Sequence, residues 1–442
     1  MPIEFAITGG CLIRRRFSVC QDERFTKLVD IIRKADVGFA HLEGTIADDD
    51  AREVFPAAEA GWTWISNPSY FPEELKWAGY DIVSHASNHT MDYMYGGLYA
   101  TWNALKKAGI PFAGSGMTLN EARRPAFVDT SKARVALISS SSSTADWARA
   151  ADPIRYDRGR PGANQMRLIQ EIDRATADQL REMAKRLGWW MVEIDDDIAV
   201  SPPGLHNAIK HYRVVDGAAC KLVMDPEDLA ANLDAIRVAK QQADFVMFHI
   251  HNHEWDPVGG LSTPPDFIRE LAHQCVDAGA DIFIAEGAHA LLRGIEIYGG
   301  KPCFYDPGDL FKDGNSKTRP LSTYYWVQGR NVNNGKRELT PASSRVHTDK
   351  AKIPGPTNPV GGYSSGKVLA VVLPVCRFDD QGRLQQITIH PAVHLKDNKL
   401  NAGLPGLQTG AEARRIIDYL AELSAPFGTR IEFEDGVGVI RL

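Results

Sequence analysis

Three histidines stand at alternate positions in the run ADFVMFHIHNHEWDP, residues 243 to 257: His249, His251 and His253, with Glu254 next. Alternate residues of a strand share a face, and neutral imidazoles with a carboxylate suit zinc, manganese, iron or nickel. The spacing fits equally a strand tip with one ligand and two solvated or supporting histidines. In HASNHTMD, residues 85 to 92, Asn88 offers a carbonyl oxygen to a cation and His89 is a ligand or a general acid. Asp92 lies within reach of His89 if the turn is helical, and a carboxylate on one imidazole nitrogen fixes the tautomer and raises basicity. A capped Asn/His turn is an equal reading of the same residues. In FAHLEGTI, residues 39 to 46, Glu43 follows a buried strand; taken alone it reads as a loop glutamate, and His41 as a buried, hydrogen-bonded histidine. Further on, His289 follows the apolar run ADIFIAEGAHA, with Glu286 three positions earlier and Asp306 and Asp309 in the next turn, placed to orient a histidine.

These residues need elements that end together. EFAITGG reads as a first buried strand, and VGFAHLEGTI, DIVSHASNHTMDYM, RVALISSSSST, DFVMFHI and ADIFIAEGAHA as strands, several running into polar loops or turns, separated by helical patterns such as FTKLVDIIRKAD, GGLYATWNALKKAGI and PPDFIRELAHQCVDAG. IQEIDRATADQLREMAKRLGW reads as one helix, and residues 190 to 225 as an excursion from the main sheet. The run IDDDI, 194 to 198, is expected to be a solvated turn, since adjacent strand side chains do not converge on one ion. GKVLAVVLPVCRFDDQGRLQQITIHPAVH closes as an antiparallel hairpin around DDQG, and IEFEDGVGVIRL as a last hairpin. Early strand–helix alternation with late antiparallel strands predicts mixed or stacked sheets flanked by helices. Ligand sites in α/β folds lie beyond the carboxyl ends of the strands, which is where Glu43, Asn88, His89, His251, His253 and His289 fall.

The chain has 442 residues, 44% hydrophobic and 24% charged, with a net charge of −6 and no basic block. That argues against a phosphate-backbone partner and leaves small-molecule or peptide-like substrates. No run approaches the roughly 20 apolar residues of a membrane span, and MPIEFAITGG lacks the positive region of a secretion signal. Six cysteines without a CxxC pair read as free thiols in a reducing compartment. A cytoplasmic protein with no membrane partner is the expectation.

The blocks HLEG, ASNHTMDYMYGGLYATWNALKKAGIPFAGSGMTLNEARRP, FHIHNHEW and AGADIFIAEGAHALLRGIEIYGGKPCFYDPGDLF, in this order, resemble the CapA family of poly-γ-glutamate capsule biosynthesis proteins. That family belongs to the calcineurin-like metallophosphatase superfamily. The resemblance covers nearly the whole chain. It implies an α/β sandwich of two mixed β-sheets flanked by helices, as one domain over 1–442, with an insertion around 149–225 and a long loop or lid at 312–365. It implies metal ligands at Glu43, Asn88, His251, His253, Glu286 and His289, and catalytic roles for His89, Asp92, His289 and Asp309. The chain departs from the family pattern in three places. Gly10 stands where an aspartate is usual, Glu286 where a histidine often stands, and Asp309 where asparagine is usual. One divalent ion (Mn, Zn, Fe or Ca) is therefore expected rather than two. Three functions follow: metal-dependent hydrolysis of an amide, ester or phosphoester in a peptide-like or γ-glutamyl substrate; epimerisation at a peptide Cα by two His/Asp pairs, as in a lasso-peptide epimerase of the family; or non-catalytic capsule-polymer assembly.

Overall fold

The structure is a computed structural model describing residues 1–48, 51, 53–57, 64–203, 209–217, 220–256, 260–289, 291–312, 370–398 and 400–442. Two compact units emerge from the chain: residues 1–165 with 233–442, and residues 166–232.

The larger unit is built on two mixed sheets. In the first, Ile3–Leu12 runs parallel to Val37–His41, which is followed outward by Ile82–Ser84 and Phe112–Ala113. On its other side Ile3–Leu12 is antiparallel to Val371–Phe378, which leads to Leu384–His394, Val437–Arg441 and Glu432–Glu434. Both late hairpins fold as their alternation predicts. In the second sheet, Phe245–His251 lies between Arg134–Ser141 and Ile282–Glu286, all parallel, and antiparallel strands close both edges.

The sheets pack face to face. Ile3, Phe5, Ile7, Val37, Phe39 and Ile82 of one share a core with Val135, Leu137, Phe245, Met247, Ile282 and Ile284 of the other. Phe245–His251 and Ile282–Glu286 are buried along their whole length, the pattern of strands covered on both faces. The alternation then fixes the site. Phe245 and Met247 lead to His249 and His251, Ile282 and Ile284 to Glu286, and Phe39 to His41. Each strand spends its apolar residues on the core and its last inward positions on ligand-type groups.

Helices cover the outer faces. Asp22 caps Glu23–Lys34 by accepting from Arg24 N, and Phe25, Leu28, Val29 and Ile32 bury its inner stripe. Met94–Ala108 buries Leu98, Trp102 and Leu105 and ends at Gly109 in the left-handed region, φ +69°. Asp266–Ala278 buries Phe267, Ile268, Leu271, Ala272 and Cys275.

The smaller unit is a five-stranded mixed sheet with helix Arg174–Leu187 against it. Ala177, Leu180 and Ala184 pack on Ile172, Ile198, Val200 and Val214. The single helix expected over 169–189 is corrected here: Leu168–Asp173 is a strand, and the helix begins only at Arg174. Asp173 stops the strand by capping the helix, its side chain accepting from Thr176 N at 2.7 Å, a local bond that outcompetes helix continuation. The IDDDI run is the exposed turn between Trp190–Ile194 and Asp197–Ser201. Most of the expected 312–365 lid, from 313 on, lies outside the described residues. Among the described residues no helix is long and apolar enough to cross a membrane. All six cysteines are free, five of them buried.

Candidate metal centre

Four histidines converge at the carboxyl ends of the strands, and each has Nδ1 beside an acceptor. His251 Nδ1 is 2.6 Å from Glu286 Oε1, and His253 Nδ1 is 2.9 Å from the Gly287 carbonyl. His289 Nδ1 is 3.1 Å from Asp309 Oδ2, and His89 Nδ1 is 2.8 Å from Asp92 Oδ2. With Nδ1–H donating in each, every Nε2 is left as a lone pair, the tautomer a metal ligand needs.

Those lone pairs meet other acceptors. His251 Nε2 lies 2.9 Å from Asn88 Oδ1 and 3.1 Å from His253 Nε2. Glu43, His253 and His289 offer ligand atoms that all fall within 4.8 Å of one another. Glu43 is fully buried, and among the described residues neither of its carboxylate oxygens has a hydrogen-bond partner. A buried carboxylate facing imidazole lone pairs is costly unless a cation sits between them. The donor set thus fits a divalent ion with nitrogen and oxygen ligands; Glu43, His253 and His289 would hold it, with Asn88 and His251 beside them.

The turns carrying these groups are pinned from behind. Buried Arg293 donates to Asn252 Oδ1 at 3.0 Å and to the Glu254 carbonyl at 2.7 Å. The serine-rich end of Arg134–Ser141 serves the same turn: Ser143 Oγ accepts from His253 N at 2.7 Å, and Ser142 Oγ donates to Glu254 at 2.7 Å. Glu254, next to the histidine run, is thus spent on serines. One Asp306 carboxylate accepts from both Ala288 N, at 2.6 Å, and Gly308 N, at 2.7 Å. It ties the loop of His289 to that of Asp309. His289 itself has φ +61°, a conformation a non-glycine residue keeps only when its surroundings hold it.

Charge follows the geometry. Burial, with lesser contributions from neighbouring charges, pushes His251 down to about 4 and lowers His253, keeping both neutral. Burial acts on His89 and His289 too, but the carboxylates outweigh it: Asp92 and Glu43 raise His89, while Asp309 and Glu43 raise His289 against burial and Lys312. Burial raises Glu286, and it lifts Asp306 to about 8. Asp309, buried as well, is nonetheless held well below the usual carboxylate range by the Lys312 ammonium, 2.7 Å away, and by His289.

The structure therefore gathers Glu43, Asn88, His89, Asp92, His251, His253, Glu286, His289 and Asp309 into one region. Glu286, expected as a ligand at this centre, points its carboxylate at His251 Nδ1, on the side away from Asn88 and His253. Two further histidines take part: His41, read from the sequence as a buried, hydrogen-bonded histidine, and His249, read as one of the run of three. His41 Nε2 and His249 Nε2 approach Glu286 Oε1 at 3.5 and 3.3 Å; their signal was inward alternation on strands of two different sheets. The vacancy at Gly10 is also explained. A Cβ there would sit 2.6 Å from Asp309 Oδ1, so the Asp309 carboxylate occupies the space a side chain at position 10 would need.

Comparison with known proteins agrees with the resemblance read from the blocks. The profile of the bacterial capsule synthesis protein family PGA_cap matches residues 8–314. The uncharacterised protein y4sH of Sinorhizobium fredii is 32% identical over 444 residues, spanning 98% of this chain and 92% of that protein. The PGA biosynthesis protein CapA of Bacillus subtilis is 34% identical over 118 residues, 26% of this chain and 29% of that one. A solved structure described as a novel phosphatase of Mycoplasma pneumoniae overlaps 88% of this chain and 93% of its own, at 9% identity and a TM-score of 0.41; at that score the likeness carries no argument.

Proposed function

The chain belongs to the PGA_cap family of bacterial capsule synthesis proteins, and from that premise we propose that it is a metal-dependent hydrolase. Its substrate is a peptide-like or γ-glutamyl small molecule cleaved at an amide, ester or phosphoester bond. The observation that carries this reading is Glu43, a buried carboxylate with no hydrogen-bond partner among the described residues, beside the His253 and His289 ligand atoms. A divalent ion held by Glu43, His253 and His289 would supply an activated water, with its pKa lowered to about 7, and would polarise the substrate oxygen.

The chain's own groups supply the proton transfer. His89 Nε2 lies 3.8 Å from Glu43 Oε1, on the ring edge opposite its Asp92 bond. Asp92 is fixed in turn by accepting from Ile65 N. His89 is therefore oriented, kept basic and placed to give a proton to a leaving group. Asn88, one residue earlier, sets its carbonyl oxygen against His251. Six unpaired thiols suit the cytoplasm as the place of action.

A second reading rests on the two His/Asp pairs, 2.8 Å for His89–Asp92 and 3.1 Å for His289–Asp309. Two oriented bases facing one substrate serve proton removal and return at a peptide Cα. Incubation of γ-glutamyl and other short peptides in deuterated, 18O-labelled water separates the two. Label in a cleaved product supports hydrolysis, and deuterium at Cα without cleavage supports epimerisation. Neither label in any product, in metal-loaded protein, leaves a polymer-binding role and removes both.

A further inference from the structure

Beneath the open centre, the inner layer of the sandwich holds a second concentration of acceptors. His249 lies two residues back along its strand from His251, about 6.8 Å deeper. His41 comes from the facing sheet, and its ring stacks against those of His249 and His251, with centroids 4.7 and 5.0 Å apart. His41, His249 and Glu286 are each 0% exposed. Both histidines are held from the outside by a hydroxyl: His41 Nδ1 by Ser84 Oγ at 2.8 Å, and His249 Nδ1 by Ser139 Oγ at 3.1 Å. With the serines accepting, both Nε2 atoms are lone pairs turned inward. They face Glu286 Oε1 at 3.5 and 3.3 Å, and among the described residues neither Nε2 makes a hydrogen bond; nor does Glu286 Oε2.

Three unsatisfied acceptors in a dry interior repel one another unless something positive lies between them. Their spacing says what fits. Ligands at about 2.0–2.2 Å from a tetrahedral ion are separated by about 3.3–3.5 Å, which is the distance of each Nε2 from Oε1. His251 Nδ1, only 2.6 Å from that oxygen, is too close to share such an ion and remains a hydrogen-bond donor to Glu286.

We propose that His41, His249 and Glu286 form a second, closed cation pocket for a zinc-class divalent ion, with both oxygens of Glu286 completing the coordination. Having no solvent-facing ligand, the pocket is structural in type. Through the Glu286–His251 bond it sets the orientation of a ligand of the open centre. The pocket stands on its own residues and does not depend on the open centre being hydrolytic.

The test uses the full-length chain, stripped of metal and reloaded with zinc alone. Bound zinc is counted by mass spectrometry, and its release to excess EDTA is followed with a zinc dye. Two ions per chain are expected, one released fast from the open centre and one slowly from the closed pocket. His249→Gln abolishes the slow class and keeps the fast one, whereas His253→Ala does the reverse. Cobalt-loaded wild type provides a readout independent of any variant's folding: the slowly released ion gives the intense visible bands of tetrahedral Co(II). A single zinc in wild type, a slow class that survives in folded His249→Gln, or a slow cobalt without tetrahedral bands overturns the pocket. Loss of the fast ion with hydrolysis unchanged would instead overturn the proposed function and leave the pocket standing.

Discussion

Gly10→Ala is expected to weaken the centre through Asp309. The backbone at position 10 is extended strand with no positive φ, so alanine brings no conformational strain of its own. The added Cβ would meet Asp309 Oδ1 at 2.6 Å. Ordinary van der Waals contact begins near 3.4 Å, so the carboxylate must retreat by about 0.8 Å. Oδ2 of the same carboxylate is held to His289 at 3.1 Å and to Lys312 at 2.7 Å, so a carboxylate displaced by the clash at Oδ1 loses its alignment on His289. Losing a hydrogen bond to a charged group costs about 1.5–3 kcal/mol. Expressed in the ligand it orients, that is roughly a 10–100-fold loss of metal affinity or turnover. Overpacking adds about 1–3 kcal/mol of lost stability at most, less if the carboxylate yields easily. The assay is a competition titration for zinc or manganese, with turnover on a panel of chromogenic esters, anilides and phosphodiesters. Asp309→Asn is the companion variant, and its effect and that of Gly10→Ala should not add, since both act on one bond. Wild-type affinity and turnover in Gly10→Ala, or fully additive losses in the double variant, would refute the assignment of Asp309 to that space.

Three more outcomes are expected. His89→Ala and Asp92→Asn should each lower turnover by about 10²–10⁴ while leaving the metal count unchanged; undiminished turnover removes the dyad. Glu43→Gln should reduce metal retention, measured as ions per chain after gel filtration, because it replaces the carboxylate at the open centre. Glu74, buried in the short helix Phe71–Ala78, accepts from Phe17 N and Ser18 N at 2.8 Å each and from Arg16 at 2.9 Å. Glu74→Gln should cost about 1–3 kcal/mol in chemical denaturation yet keep wild-type metal content, so a fall in bound metal there would show that general destabilisation mimics ligand loss.

The strands were legible because each is a short apolar run ending in glycine or a polar cluster, and the late hairpins because their alternation and turn residues agree. The start of helix Arg174–Leu187 was not, since the polar run IQEID satisfies both periods until Asp173 caps the helix. The site was legible as a set of strand ends. Which strand end faces which depended on packing across two sheets, and spacing within one segment carries no information about that. His41 reads as a lone core histidine for this reason, and His249 as one of a run of three, until the sandwich sets their rings 4.7 Å apart over the same carboxylate. Likewise Gly10 looked like a lost ligand. Only the approach of Asp309 from 299 residues further along shows that its space is filled.

The most direct test of the central claim is turnover and metal content measured on one preparation, before chelation, after chelation and after adding back a single divalent metal. The account predicts at least one ion per chain, loss of hydrolysis as the ion leaves, and recovery in proportion to the ion restored. Full hydrolysis by protein shown to hold no metal would contradict it.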